Sequence, residues 1–404
     1  MLSVENIPSR GSEPRKTNFP VKTGLCKAGK EGETTDLHQG EASVFWVWLA
    51  LGILGGAFFL FVLALVVLYF YLAIRFMHFL VRVFQEKPLF IVPRGQPITD
   101  AEDVTFPTDD GLHLRGCYLS SKAERRRGVI LFGLEFGSNR WACVEYCRFL
   151  VENGFDVFAF ESRGQGESET RTGYEPLQWV TDFEVSDVRA ALRYLRSRSD
   201  ADPKGIGFFG ISKGGSAALL AAATEDYVRC FVTDGIFATR TTMVPYMQKW
   251  IAIVSDRYWL QKAIPRWFYA LFARRALWLL GSKSGCRYPH LERALPRLAP
   301  RPLLMIHGGG DTYIKPEMAK DLFARAREPK ELWIVEGAKH NQALQAAGDA
   351  YRQRVLAFFQ KHLDGVPESG PGLLARDHVP GQDHAQGWTA PSRAAVPAPI
   401  AKER

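Results

Sequence analysis

Residues 208–216 read "FFGISKGGS", a short glycine-rich segment between two apolar runs. The residues before Gly210, "GIGFF", are typical of a short buried strand, and the "AALLAAAT" that follows is typical of a buried helix. A strand that becomes a helix within a few residues must bend sharply, and side chains at the bend would collide. Gly210 and Gly214 have no side chain that could collide there. The stretch therefore predicts a sharp strand-to-helix turn with Ser212 at its apex.

The overall composition is that of a globular protein, with 404 residues, 47% apolar residues, 23% charged residues and a formal net charge of +8. This length is enough for one large domain or two smaller ones. The six cysteines form no CxxC pair and no zinc-binding spacing. No metal or cofactor site is evident along the sequence, so we expect neither. Cysteines without an evident pairing are typical of a reducing compartment.

Residues 43–74 contain no charged residue and predict a transmembrane helix. At about 1.5 Å per residue this helix would reach roughly 48 Å, enough for one tilted or overlong span but not for two. A signal peptide is the alternative, but a long polar segment precedes the run, and the run exceeds the apolar core of a signal peptide. Residues 1–42 are polar and aperiodic, and we expect them to be disordered.

Basic residues near the predicted span favour one orientation, because the side richer in Lys and Arg tends to remain in the cytoplasm. Two basic residues precede the span closely and four follow it, within or at the start of the predicted juxtamembrane linker 75–96: Lys27 and Lys30, then Arg75, Arg82, Lys87 and Arg94. We therefore expect a single-pass membrane protein whose large C-terminal domain faces the cytoplasm.

From about residue 97 to 364 the sequence alternates between strand and helix patterns. A hairpin is predicted first, with its turn at Asp110–Gly111. Six apolar strand candidates follow, separated by helical patterns: "GVILFG", "FDVFAF", "GIGFFG", "RCFVTD", "PLLMIHG" and "ELWIVEG". This alternation predicts an α/β domain whose mostly parallel sheet is covered by helices on both sides. The tail 365–404 is rich in Pro, Gly and Ala, and we expect it to be disordered.

Residues suited to nucleophilic catalysis follow three of these strands. Ser212 follows "GIGFF", Asp311 follows "PLLMI", and His340 follows "ELWIV". The carboxyl ends of parallel strands meet at one edge of a sheet, so we expect the three side chains to lie close together. A serine hydroxyl is a poor nucleophile until a base takes its proton. His340 would be that base, and Asp311 would fix its tautomer and stabilise the imidazolium.

The remaining parts of this predicted site are less sharply defined. Asp234, in "VTDGIF", also ends a strand and is a competing acid. The negative oxygen of a tetrahedral intermediate needs backbone N–H donors, and that of Lys213, at a helix N-terminus, is one candidate. The second would come from the loop 133–137, where we favour Leu134 and keep Glu135 as a close alternative.

Residues 97–364 resemble the α/β-hydrolase superfamily, in its branch of serine esterases, lipases and related enzymes. The resemblance rests on five motifs: "TDDGLHLRGCY", "FESRGQGES", "GISKGG", "HGGGD" and "GAKH". It implies the α/β-hydrolase fold and a catalytic triad in the chain order Ser, Asp, His, which Ser212, Asp311 and His340 match. The chain departs from the family at the oxyanion loop, where Phe132–Gly133 stands in place of a common His–Gly.

The segment of about sixty residues between "TDGIF" and "PLLMI" exceeds a plain crossover and predicts a helical lid insertion at about 238–298. Basic residues outnumber acidic ones eleven to two within it, and they alternate with Trp, Tyr and Phe. Such a segment suits a helix at an anionic bilayer surface, so membrane lipid is an expected partner. A cap that packs its aromatic residues on the core is the alternative, and nothing else in the chain supports nucleic-acid binding.

These observations together predict a membrane-anchored serine hydrolase that cleaves a carboxylic ester or thioester through an acyl-enzyme. A hydrophobic, lipid-like acyl group is the substrate class that the anchor and lid favour. An amidase or peptidase would use the same triad. A binding protein that keeps the fold without the chemistry is a further alternative, although it would have no need of all three residues.

Overall fold

The computed structural model describes residues 33–86, 92, 94–254 and 264–364. The chain divides into two compact units, Met1–Arg75 and Phe76–Arg404. Residues 1–32 of the segment predicted to be disordered, and the predicted tail 365–404, lie outside the described residues.

The first element is a single long helix, α1 (Glu33–Gln85). Its part Val44–Gln85 is long and apolar enough to cross a membrane, and the side chains of the most apolar window are exposed. The helix extends beyond the predicted span 43–74 at both ends, so residues 33–42 and 75–85 are helical instead of disordered or linker. The sequence explains the extension at the C-terminal end, because neither Gly nor Pro occurs between Ala57 and Lys87.

The second unit contains an eight-stranded sheet in the order β1-β2-β4-β3-β5-β6-β7-β8. The strands β1 and β2 form an antiparallel hairpin, β2 pairs antiparallel with β4, and all the other neighbours are parallel. The strands are Ala101–Pro107, His113–Leu119, Gly128–Gly133, Phe155–Phe160, Ile206–Ile211, Val228–Asp234, Leu303–Gly308 and Lys330–Val335. This confirms the predicted α/β-hydrolase fold with its mostly parallel central sheet.

Helices cover both faces of this sheet. The central strands are buried along their whole length, as expected for continuous apolar runs between two helical layers. One core cluster packs the helices 182–197, 212–222 and 316–325 on the first face of the sheet, and the other packs the helices 143–152, 343–347 and 349–359 on the second. The helices are α2 (Cys143–Glu152), α3 (Asp182–Ser197), α4 (Ser212–Ala222), α5 (Thr239–Val254), α6 (Arg266–Ser284), α7 (Leu291–Ala294), α8 (Pro316–Arg325), α9 (Ala343–Ala347) and α10 (Asp349–Phe359).

Within the second unit, the last turns of α1 join the core. Phe84 is fully buried, and its ring lies 6.3 Å from that of Trp179 and 6.0 Å from that of Tyr246 on α5. The indole Nε1 of Trp179 also donates a 2.9 Å hydrogen bond to the carbonyl oxygen of Phe84. The predicted lid corresponds to α5, α6 and α7, and residues 255–263 between α5 and α6 lie outside the described part of the chain.

All five cysteines in the described residues are buried, and none of them forms a disulfide: Cys117, Cys143, Cys147, Cys230 and Cys286. Burial raises the pKa of the Cys147 thiol and raises that of Cys230 to about 12, so these two groups remain protonated at neutral pH. They act as small core residues, not as nucleophiles.

Candidate active site

The predicted strand-to-helix turn is present at the junction of β5 and α4. Ser212 is the first residue of α4, and its φ of +50° lies in the left-handed region that residues with a Cβ rarely adopt. The glycines allow the backbones to approach closely. A Cβ on Gly133 would lie 2.9 Å from the carbonyl carbon of Gly214, and a Cβ on Gly210 would lie 2.8 Å from the Cα of Gly215. The first turn of α4 therefore lies directly against the end of β3.

The structure brings the three predicted catalytic side chains together at the carboxyl edge of the sheet. The Ser212 Oγ lies 3.0 Å from Nε2 of His340. The Nδ1 of the same imidazole lies 2.6 Å from Oδ2 of Asp311. Ser212 and Asp311 are buried, with 5% and 3% of their surface exposed. The arrangement forms a continuous hydrogen-bonded chain from hydroxyl through imidazole to carboxylate.

Backbone donors hold Asp311 in place. Its Oδ1 accepts hydrogen bonds from the N–H groups of Tyr313 at 2.8 Å and Ile314 at 2.9 Å, which leaves Oδ2 for His340. His307, at the end of β7, has its Nε2 2.7 Å from the carbonyl oxygen of Ile314 and so braces the same turn. Burial lowers the pKa of His307, which keeps this ring neutral at pH 7.

The competing acid, Asp234, has a different partner. Its carboxyl group is fully enclosed at the end of β6, and Oδ2 accepts a 3.0 Å hydrogen bond from the hydroxyl of Tyr351 on α10. Burial raises the pKa of Asp234 to about 7, because the lost hydration outweighs the opposing effects of the Tyr351 hydrogen bond and of the charge on His340. Asp311 is thus the hydrogen-bond partner of the His340 imidazole, and Asp234 is the hydrogen-bond partner of the Tyr351 hydroxyl.

Glu135, in the loop after β3, links that loop to the histidine loop. Its carboxylate accepts hydrogen bonds from the Asn341 side-chain amide and, at 3.5 Å, from the Tyr146 hydroxyl. Asn341 follows His340 directly and has a φ of +56°. Burial raises the pKa of Glu135 to about 7. The sequence gives no signal for this pair, because nothing local in "GAKHN" points to a residue 206 positions away.

The two residues predicted to form the oxyanion hole lie on the two segments that meet at this turn. A Cβ on Gly214 would collide with the backbone of Gly133 and Leu134, so the Leu134 peptide lies against the first turn of α4. The Lys213 side chain is directed elsewhere: its Nζ donates hydrogen bonds to Glu184 Oε1 at 2.8 Å and to the carbonyl oxygen of Leu177 at 2.6 Å. Only the backbone of Lys213 is therefore left to serve the site.

Across the described ranges, no cluster of three or more His, Cys, Asp and Glu side chains is arranged to hold a metal ion.

Comparisons with known proteins agree with this architecture. A family model described as the alpha/beta hydrolase fold matches residues 129–253. The second unit therefore has the α/β-hydrolase fold. It is similar to the uncharacterized protein YfhR of Escherichia coli K12, with 27% identity over 65% of this chain and 82% of that protein. The α/β hydrolase domain-containing protein WAV2 of Arabidopsis thaliana is 25% identical over 69% of this chain and 88% of its own.

Two solved structures show the same fold as this protein. The esterase Pf2001 of Pyrococcus furiosus has a TM-score of 0.50 and 21% identity, and the match covers 69% of this chain and 100% of that one. The α/β hydrolase GrgF from Penicillium sp. sh18 also has a TM-score of 0.50 and 21% identity, with 65% and 99% coverage.

The substitution Asp234→Asn should flatten the pH dependence of this protein's stability. The folded state keeps a proton on Asp234 up to about pH 7, whereas the unfolded chain releases it near 3.8. The wild type therefore loses unfolding free energy as the pH rises through this window, by on the order of 2–4 kcal/mol from this group. Asparagine cannot ionise, so the unfolding free energy of the variant should fall less than that of the wild type as the pH rises.

Denaturant unfolding of the full chain in detergent between pH 4 and 8 measures this difference. Asp226→Asn is the matched control, because the Asp226 side chain is 99% exposed and should leave the pH dependence unchanged. Parallel pH curves for Asp234→Asn and the wild type would contradict a buried proton at this position.

Proposed function

We propose that this protein is a membrane-anchored serine hydrolase that cleaves a carboxylic ester or thioester through an acyl-enzyme. The observation that carries the proposal is the hydrogen-bonded chain from Ser212 through His340 to Asp311, with separations of 3.0 Å and 2.6 Å. Both distances lie within direct hydrogen-bond reach, which proton transfer during nucleophilic attack requires.

The reaction follows from these positions. His340 takes the Ser212 hydroxyl proton as Oγ attacks the carbonyl carbon, and Asp311 stabilises the imidazolium. The backbone N–H groups of Lys213 and Leu134 would donate to the oxygen that becomes negative, as preorganised dipoles do. Collapse of the tetrahedral intermediate expels the alcohol or thiol, which receives the proton from His340. A water molecule activated by the same base then releases the acid and restores Ser212.

The backbone of Ser212 argues against a catalytically silent binding protein. A residue with a side chain at φ +50° costs of order 1–3 kcal/mol, and glycine would remove this cost. The conformation directs the hydroxyl toward His340, which a mere binder does not need. Strain placed on the reacting residue supports retained chemistry.

Ester cleavage is favoured over amide cleavage by one of the structural relatives. The Pyrococcus furiosus protein that shares the fold is an esterase. An amidase or peptidase would use the same three side chains. We therefore place a carboxylic ester or thioester first and an amide second.

The apolar helix supports attachment to a membrane and a lipid-like acyl substrate. Val44–Gln85 is a candidate span, and the larger number of basic residues after it favours a catalytic domain in the cytoplasm. A tethered hydrolase works next to acyl chains that are scarce in bulk water. A hydrophobic acyl group is therefore the substrate class that we propose.

Ser212→Ala should abolish covalent labelling by a fluorophosphonate probe, because the alanine side chain has no oxygen to attack phosphorus. Ser216→Ala is the matched control, one turn further along α4, and should still be labelled. In-gel fluorescence measures labelling, and circular dichroism checks that each variant is folded. Labelling of Ser212→Ala equal to that of the wild type would remove Ser212 from the mechanism.

Asp311→Asn should lower kcat by roughly 10³–10⁴-fold, because the amide holds the imidazole of His340 in the wrong tautomer. Asp234→Asn should lower kcat less than about tenfold, since its carboxyl group bonds to Tyr351. Steady-state kinetics on a p-nitrophenyl ester near pH 8 compares the two variants. The reverse ranking would transfer the role of the acid to Asp234.

The value of kcat/KM should rise with acyl length in a series of p-nitrophenyl esters kept below their aggregation limits. Each added methylene that becomes buried contributes about 0.8 kcal/mol, or roughly fourfold. A series with its maximum at acetate would refute the lipid-like substrate while leaving the serine mechanism intact.

A further inference from the structure

The helix α6 (Arg266–Ser284) exposes large apolar side chains along one stripe. Trp267, Leu271 and Trp278 have 55%, 38% and 64% of their surface exposed. At 3.6 residues per turn, the three fall within roughly 40° of one another on the helix surface. Single exposed apolar residues are ordinary, but an aligned set that includes two tryptophans is typical of an interaction surface.

Basic residues accompany this stripe. Arg274 and Arg275 are exposed and lie on either side of it, and Arg266 and Lys283 are exposed near the two ends of the helix. The sequence of α6 contains no Asp or Glu. None of these four cations forms an ion pair in the described part of the chain. We name Trp267, Leu271, Arg274, Arg275 and Trp278 the outer face of α6.

The opposite side of α6 packs against the rest of the second unit. Phe268, Phe272, Leu277 and Leu280 are buried. The helix is therefore held in the lid by these residues, and the outer face is not needed for its attachment. The apolar and basic side chains of the outer face are therefore exposed and can bind a partner.

We infer that the outer face of α6 binds the surface of an anionic lipid bilayer. Tryptophan has an amphipathic ring that suits the headgroup level, and arginine binds phosphate with its fork of N–H donors. A second copy of this chain would bring arginine against arginine, so charge complementarity disfavours it. A lipid surface is also the partner that a chain with a candidate span at Val44–Gln85 has within reach.

The predicted orientation points to the same occupant, because anionic lipids are concentrated in the cytoplasmic leaflet. The inference does not depend on hydrolysis. A wild-type protein that a fluorophosphonate probe did not label would refute the serine mechanism and leave lipid binding by this face untouched.

The test uses the full chain in single-copy nanodiscs made of phosphatidylcholine with or without phosphatidylserine, in which the acyl chains carry bromine atoms that quench nearby tryptophan. The wild type and the variant Trp267→Phe/Trp278→Phe are compared. The difference in their quenching is the part that comes from the two outer-face tryptophans. We expect this difference to be large with phosphatidylserine and small without it. At about 1 M salt, where the Debye length is about 3 Å, it should decrease.

Arg274→Gln/Arg275→Gln should reduce the ratio of docked to undocked lid by roughly fivefold per arginine in phosphatidylserine nanodiscs. The matched control is Lys320→Gln/Arg325→Gln, which removes the same charge from two exposed positions on α8 and should retain the wild-type quenching. Equal quenching in both lipids, or equal effects of the two double variants, would overturn the inference. Tryptophan burial that appears only at high protein concentration in detergent would assign the face to a second copy instead.

Discussion

The close approach of two backbones, the first turn of α4 and the end of β3, is the constraint on which the site depends. Any side chain at Gly133 or Gly214 would separate them. Their contact sets the bend that gives Ser212 its left-handed backbone and fixes the loop of Leu134 beside it. The same sheet edge then receives the loops that follow β7 and β8. A few missing Cβ atoms thus determine where the hydroxyl lies relative to its base.

The buried carboxyl groups around this turn have different hydrogen-bond and ion-pair partners, and these partners determine whether each group is ionised at neutral pH. Burial alone would raise the pKa of Glu184, but Lys213 holds it below its ordinary value, so this carboxylate stays ionised. Glu135 and Asp234 have only amide and phenol donors, and their pKa values rise to about 7. The lysine next to the nucleophile is thereby neutralised, and the negative charge close to His340 is limited at neutral pH.

The fold and the three proposed catalytic residues could be predicted because their signals are local. Apolar runs marked the strands, and Ser212, Asp311 and His340 each lie within about five residues of the end of one of them. The partners of Glu135 and Lys213 could not be predicted, because their contacts join segments distant in sequence. The sequence favoured Asp311 and left Asp234 as a competing acid, since each lies at or just after the end of a strand; their hydrogen bonds now separate the two.

The burial of the cysteine thiols in the sheet core has a practical consequence for chemical profiling. Maleimides and other cysteine-directed electrophiles cannot reach Cys143, Cys147 or Cys230 while the second unit stays folded. Alkylation at these positions consequently reports opening of the core and not inhibition of an enzyme. A serine-directed reagent and a cysteine-directed reagent applied to one sample would therefore read out two independent properties, occupancy of the reactive centre and integrity of the fold around it.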